Sequence, residues 1–419
     1  MRIAVIVGGF PCLSETFILR QITGLLDRGH EVDIFAGSTG NEPVRHPDVE
    51  RYGLLTRTYY LTQCACSEAT PVRALKRLRL IFTNFHRNPR VVLKTFNVAA
   101  YGKAALFLQI LCQIAPFLDK DPYDILHCQF GPIGEFGLLL RDTGVFHGKI
   151  ITSFRGFDIS SYVKERGENT YEDLFRRGDL FLCVSEHIKA DLIRLGCDGE
   201  KIIVHRSGID PNTFSVIPRE PKKGAKTTIL TIARLVEKKG VEYGIKAMAK
   251  ILKKHPDVKY QIAGDGPWRD KLQALIRELN VGASIELLGW RSQNEITQLL
   301  ESSDILLAPS LTSSTGDQEG IPGVIMEAFA TGLPVVSTRH AGIPEIVQDG
   351  VSGLLVSEKD VNGLIQKLEI LIEQPQLRYA MGRTGRKFVE QYYNIETLNN
   401  RLVDVYQQLL RGELSAPAV

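Results

Sequence analysis

Residues 227–264 read TTILTIARLVEKKGVEYGIKAMAKILKKHPDVKYQIAG. TTILTIARL is a short apolar run ending in a polar loop, apolar residues recur at helical spacing over 240–254, and VKYQIAG is a second apolar run closed by glycine. Strands that are apolar throughout, joined by an amphipathic helix, belong to a parallel sheet covered on both faces. Downstream the pattern continues with helix 267–279, strand SIELLG, helix 292–301, strand DILLAPS, helix 322–331 and strands LPVVST and SGLLV. Upstream, RIAVIVGG precedes SETFILRQITGLLDRG, a helical pattern behind a Ser14 cap. HEVDIFAG, YDILHCQFG, GKIITSF and DLFLCVSEHIKADLIRLG repeat the alternation.

The polar stretch PREPKKGAK (218–226) separates the two series, so the boundary falls near 215–226. This predicts an α/β protein of two doubly wound, Rossmann-like domains, 1–215 and 227–390, facing across a cleft. NIETLNNRLVDVYQQLLRG, within 391–419, follows the completed second sheet and reads as a long helix packing back across the boundary. A length of 419 residues suits two such cores. In open parallel sheets ligands sit at the carboxyl ends of the strands.

With 44% hydrophobic and 24% charged residues the chain is ordinary globular material, and a net charge of +3 gives no reason to expect nucleic acid. Seven cysteines, all in the first half and without metal-ligand spacing, read as reduced thiols of a cytoplasmic protein, and no metal site is expected. No secretory h-region follows Met1. Charge is uneven, however: Ala69 to Leu118 holds eight Lys/Arg (Arg73, Lys76, Arg77, Arg79, Arg87, Arg90, Lys94, Lys103) and no acid. The apolar run 104–118 behind it is shorter than the ~20 residues that span a bilayer. A buried helix beside a solvated basic one accounts for this; a surface touching anionic lipid at the inner face of the membrane is the alternative.

Within EGIPGVIME, Glu319 and Glu327 stand in an otherwise apolar stretch, and from Gly320 to Thr338 Glu327 is the sole ionisable residue. A buried carboxylate requires a partner because desolvation costs several kcal/mol; a ligand bearing hydroxyls supplies one, an arginine from elsewhere another. Pro322 fits a first helical turn, Gly320 and Gly323 admit close approach, and the free amides there suit a phosphate. Arg234 and Lys239 flank a helix start, where the macrodipole favours anions, so a bound diphosphate would explain two cations there. Glu237 is the alternative counter-charge. GDGP (264–267), GWRSQNE (289–295), PSLTSSTGDQ (309–318) and STRHAGIPE (337–345) are further strand-end loops on the same rim. His127 ends a strand and also fits a satisfied core position.

The series ARLVEKKG, AGDGPWRDKL, LLGW, SSDILLAPS, EGIPGVIMEAFATGLPVVST and AGIPEIVQDGVSGLLV resembles the retaining glycosyltransferases of family GT4, which have the GT-B fold. The likeness runs from about 228 to 356 and is looser upstream. It implies that Arg234 and Lys239 hold the donor diphosphate, Glu327 the nucleotide ribose and Glu319 the donor sugar. Pro322, Gly323 and Val324 would contact phosphate and sugar through the backbone, with Gly264, Trp290 and Arg291 on the donor side near the base. Gly8 and Gly9 would let the first domain approach the phosphates. The implied donor is a UDP- or GDP-linked sugar, with no separate cofactor. The implied acceptor is a glycan, lipid-linked or small molecule meeting Phe10, Pro11, Ser14 and Glu15. One departure stands out. Many members read His-Gly-x-Asp where this chain has Arg155, Gly156, Phe157 and Asp158, wording that resembles an exopolysaccharide, colanic-acid-like subgroup. Arg155 then contacts donor or acceptor, or pairs with Asp158 or Glu165.

Three rivals remain. A metal-dependent GT-A enzyme would use Asp119-Lys120-Asp121, which precedes its strand. A sugar-nucleotide epimerase and a non-catalytic nucleotide-sugar-binding protein share the GT-B fold. Dehydrogenase chemistry is disfavoured because no G-x-G-x-x-G follows the first strand.

Overall fold

The computed structural model describes residues 1–12, 15–40, 46–61, 79, 81–86, 88–102, 104, 108–216 and 226–413. Its first sheet has strands β1 (Arg2–Phe10), β2 (Glu31–Thr39), β3 (Thr58–Tyr60), β4 (Ile125–Gln129), β5 (Lys149–Phe154), β6 (Leu180–Cys183) and β7 (Ile202–Val204), in the order β3-β2-β1-β4-β5-β6-β7. Its second has β8 (Thr228–Ile232), β9 (Lys259–Ala263), β10 (Ile285–Gly289), β11 (Ile305–Ala308), β12 (Val335–Thr338) and β13 (Gly353–Val356), in the order β10-β9-β8-β11-β12-β13. Neighbouring strands run parallel, as in Ile3 opposite Val32 and Thr231 opposite Ile262. In both sheets the order reverses beside the first strand of the domain, and that switch point opens the crevice used by ligands.

Seven helices bear on the site: α1 (Thr16–Asp27), α2 (Pro89–Lys94), α3 (Glu186–Arg194), α4 (Val241–Lys254), α5 (Gly323–Ala330), α6 (Pro375–Tyr392) and α7 (Ile395–Arg411). The strands of each sheet divide their side chains between two cores, one per face. That is why β4, β6 and β11 are buried at every position, and why β6 and β11 read as unbroken apolar runs.

α6 packs against α5 in the second half, whereas α7 places Leu402, Val405, Tyr406 and Leu409 in the core of the first. Arg28, the C-cap of α1, reinforces this by donating to Asn400 Oδ1 at 2.8 Å and to the Glu396 carboxylate at 2.8 Å. Cys128, Cys183 and Cys197 are buried free thiols; Cys64 and Cys66 lie outside the described residues. The Ser14 cap expected for α1 also lies outside them. Among the described residues no helix is long and apolar enough to cross a membrane.

Candidate active site

The carboxyl-end loops of the two sheets meet. A Cβ on Gly320 would stand 2.3 Å from the Arg155 carbonyl oxygen, and one on Gly156 3.1 Å from that of Gln318. Gly156 also has φ +147°, which a side chain resists, so both glycines are required for this approach. Glu345 spans the same seam, its carboxylate accepting from the backbone N–H of Glu186 (2.9 Å) and His187 (3.0 Å). Ser185 Oγ takes the N–H of Ile188 at 3.2 Å. The first turn of α3, in one domain, is therefore capped partly from the other.

On the second-domain rim Lys239 Nζ lies 2.9 Å from Glu319 Oε1 and Lys238 Nζ 3.0 Å from Asp317 Oδ2. Burial pushes the Glu319 carboxyl up, but Lys239 and Lys238 prevail and hold it below the usual carboxylate range. The Glu319 N–H donates to His340 Nε2 at 3.1 Å, so the ring proton sits on Nδ1 and is shared with Glu358 Oε1 at 2.6 Å. Glu358 also accepts from the Thr312 N–H at 2.9 Å, which ties the loop before Glu319 to the one after β13.

Glu327 is pushed the other way. Burial raises its pKa, and Arg20 of α1 across the cleft, with Gln293 on its own side, pulls it back only in part. Arg20 is itself half-buried and its pKa lowered by that burial; it donates to the Gly208 carbonyl at 3.2 Å. The arginine from elsewhere that the sequence allowed for is thus Arg20, as an electrostatic neighbour. Two acids eight positions apart hold opposite electrostatic settings, one paired with lysine and the other underserved.

Arg234 is exposed, and no hydrogen bond or ion pair engages its side chain among the described residues. Glu237 does not neutralise it and accepts instead from Ser314 Oγ at 2.7 Å. Gly240, at φ +61°, begins α4 with its Cα against the Pro309 carbonyl, where a Cβ would stand at 1.9 Å. Pro322 caps α5 from one position before the helix rather than within the first turn, and the space over Gly323 is open. Gly8 likewise faces open space, whereas Gly9 sits beside Ser38.

Other residues fall elsewhere. The tight approach at Gly264 (φ +134°) is to Ala233, where a Cβ would stand 1.9 Å from the carbonyl oxygen, so this glycine serves loop-on-loop contact. Trp290 is exposed, and Arg291 bonds its carbonyl oxygen at 3.1 Å. Phe10 is buried in the first-domain core and presents no side chain to an acceptor, a correction to the sequence reading; Pro11 and Glu15 lie on the partly exposed rim above it. Asp121 lies by Arg2, at the amino ends of the strands and far from the rim.

Arg155 pairs with neither Asp158 nor Glu165. Asp158 caps the loop, taking the N–H groups of Arg155 (3.0 Å), Gly156 (2.9 Å) and Gly131 (3.1 Å). The guanidinium runs inward to Gln129 Oε1 (2.8 Å), Gln21 Oε1 (3.2 Å) and Ser207 Oγ (3.0 Å), 4.3 Å over the Phe17 ring. Its side-chain partners are neutral oxygens, and burial lowers its pKa to about 10, with the Asp158 and Glu15 carboxylates offsetting only part of the effect. His127 lies beneath, between Ser153 Oγ (2.7 Å) and Tyr406 Oη of α7 (2.6 Å). Burial, then Arg155, pushes both His127 and nearby His205 down to about 3, which keeps the rings neutral. His127 is the satisfied core residue its lone position allowed.

Sequence reading missed Arg20, Gln293, Glu345, the His340–Glu358 pair and the Gln21–Gln129–Ser207 cradle. Glu345 did stand on an identified rim loop, but its capping role depends on the other domain.

Comparison with known families is decisive for this chain. The model for Glycosyltransferase Family 4 matches residues 14–213 and that for Glycosyl transferases group 1 matches residues 214–388. The chain belongs to the family 4 glycosyltransferases. Among relatives of this family 4 transferase is a Salmonella typhimurium protein provisionally named as a colanic acid biosynthesis glycosyltransferase. It is 37% identical over 98% of this chain and 100% of its own length. The amylovoran biosynthesis glycosyltransferase AmsK of Erwinia amylovora is 34% identical over the same shares. Among solved structures, Anabaena HepE in complex with UDP and glucose has a TM-score of 0.72 at 18% identity. That likeness covers 97% of this chain and 99% of the other, and shows that the transferase shares its fold.

Proposed function

We propose that this glycosyltransferase moves a hexose, with retention of configuration, from a UDP- or GDP-linked sugar to a glycan or lipid-linked acceptor in exopolysaccharide synthesis, working in the cytoplasm at the inner face of the membrane. The observation that carries the reading is Arg234: an exposed guanidinium with no anion at hand, on the rim that also bears Lys239 and the start of α5. A diphosphate there would meet Arg234, Lys239 and the amides of Gly323 and Val324. Glu327, short of hydrogen-bond donors, suits a ribose diol, and ionised Glu319 suits sugar hydroxyls. The acceptor oxygen attacks the anomeric carbon on the face from which the diphosphate leaves, and its proton passes to a leaving oxygen. Stabilising the departing diphosphate is then the main catalytic contribution. Cleft closure would keep water from the donor. The names of the amylovoran and colanic acid relatives support the biosynthetic setting.

The test is incubation with a panel of UDP-, GDP- and ADP-sugars, followed by mass spectrometry. Release of free nucleotide is expected; epimer formation, or binding without turnover, would favour the rivals. Arg234→Ala and Lys239→Ala should each lower turnover strongly, and near-normal turnover in both would overturn the diphosphate assignment.

A further inference from the structure

Among the described residues thirteen large hydrophobic side chains are exposed, and five of them lie between residues 82 and 98. They are Phe82 (75% exposed), Phe85 (44%), Leu93 (59%), Phe96 (39%) and Val98 (45%). α2 shows how they are presented. Asn88 caps it by accepting from the Val91 N–H at 3.2 Å, and Val91, Val92 and the following Thr95 are buried against the first-domain core. The opposite side of the same six-residue helix carries Arg90, Leu93 and Lys94, all exposed. An anchored helix that holds leucine and cations in solvent is a platform left uncovered by the described residues.

Charge selects the occupant. Arg79, Arg90 and Lys94 are exposed, none forms an ion pair among the described residues, and no acid occurs from Ala69 to Leu118. Five further Lys/Arg of that stretch (Arg73, Lys76, Arg77, Arg87, Lys103) lie outside the described residues. Aromatic side chains that enter the headgroup boundary, flanked by cations with no acid among them, complement an anionic lipid surface. What sets a lipid surface ahead of a protein interface is the density of cations with no acid among them from Ala69 to Leu118, since charged residues are depleted at the core of a protein interface.

We infer that the described residues 79, 81–86 and 88–98 form a docking surface for an anionic bilayer. This requires neither donor nor acceptor and so stands apart from the transfer reaction.

The experiment is co-sedimentation of the full chain with vesicles of equal parts phosphatidylglycerol and phosphatidylcholine, and with vesicles of phosphatidylcholine alone. Binding to the first, weakening as salt rises, is expected. Each cation near such a surface contributes a factor of about five, so replacing Arg79, Arg90 and Lys94 with Gln should weaken binding roughly a hundredfold. Phe82→Ser with Leu93→Ser should weaken it at every salt concentration. All five side chains are exposed, so an unchanged melting temperature verifies that the variants fold. Absence of wild-type binding at low salt, equal binding to phosphatidylcholine alone, or indifference to both sets of substitutions would overturn the inference. So would self-association in solution that the same substitutions abolish, since the surface would then belong to a second copy of the chain.

Discussion

Replacing Glu345 with alanine removes a carboxylate that accepts two backbone N–H groups at the start of α3, at 2.9 and 3.0 Å, across the seam between the domains. A hydrogen bond to a charged group contributes ~1.5–3 kcal/mol, and an anion at a helix N-terminus ~0.3–1 kcal/mol. Both N–H groups recover water when the cleft opens, so the low end applies. The variant should lose about 2 kcal/mol from the closed arrangement, roughly a thirtyfold shift toward the open one. Glu345→Gln keeps an acceptor oxygen and loses the charge, and should lie between. The assay is the energy-transfer distribution between dyes on the two domains, recorded without donor and through a nucleotide-sugar titration. Glu345→Ala should populate longer distances and need more donor to close, with a higher donor KM. Superimposable distributions for wild type and a well-folded Glu345→Ala would refute a closing role for this contact.

Gly156→Ala combines an unfavourable φ of +147° with a Cβ 3.1–3.2 Å from Gln318 and Gly320. A penalty of ~1–3 kcal/mol falls on the closed state, so kcat/KM should drop about tenfold or more with little change in melting; unchanged kinetics would contradict it. Tyr406→Phe strips the partner from His127 Nδ1 and should destabilise the first domain by ~1–3 kcal/mol in urea denaturation. His127 and His205 have folded pKa values near 3, below the unfolded value, so acid protonates the unfolded chain first. Stability should therefore fall as pH drops through ~6.5, by ~2.5 kcal/mol for the pair between pH 7 and 5.5. Denaturation curves that coincide at those two pH values would show that the rings are not buried and neutral.

The alternation of strands and helices was readable because parallel strands covered on both faces keep their apolar character unbroken, as in TTILTIARL and DILLAPS. Glu327 was readable as an anomaly, since a lone acid in an apolar helix has few physical explanations. Its counterpart was not: Arg20 lies 307 positions earlier and is unremarkable in an amphipathic helix until the two rims meet. Arg155 shows the same limit. FRGFD marked it, but the neutral cradle of Gln21, Gln129 and Ser207 draws on α1, β4 and the loop after β7, whose convergence only the folded sheet specifies. Gly264 shows a further limit, because a glycine that admits a neighbouring loop and one that admits a ligand have the same sequence signature.

The return of α7 has a consequence for engineering. Tyr406, Leu402 and Leu409 complete the core of the first domain although they come last in the chain. A chimaera meant to exchange the donor-side half between related transferases, joined only near residue 216, would pair a foreign α7 with the resident β4 and α1. It would lose the hydroxyl on His127 and the grip of Arg28 on Glu396 and Asn400. A second junction at Asn394, just before α7, would leave each sheet with its own helix and confine the exchange to the half bearing Arg234, Glu319 and Glu327.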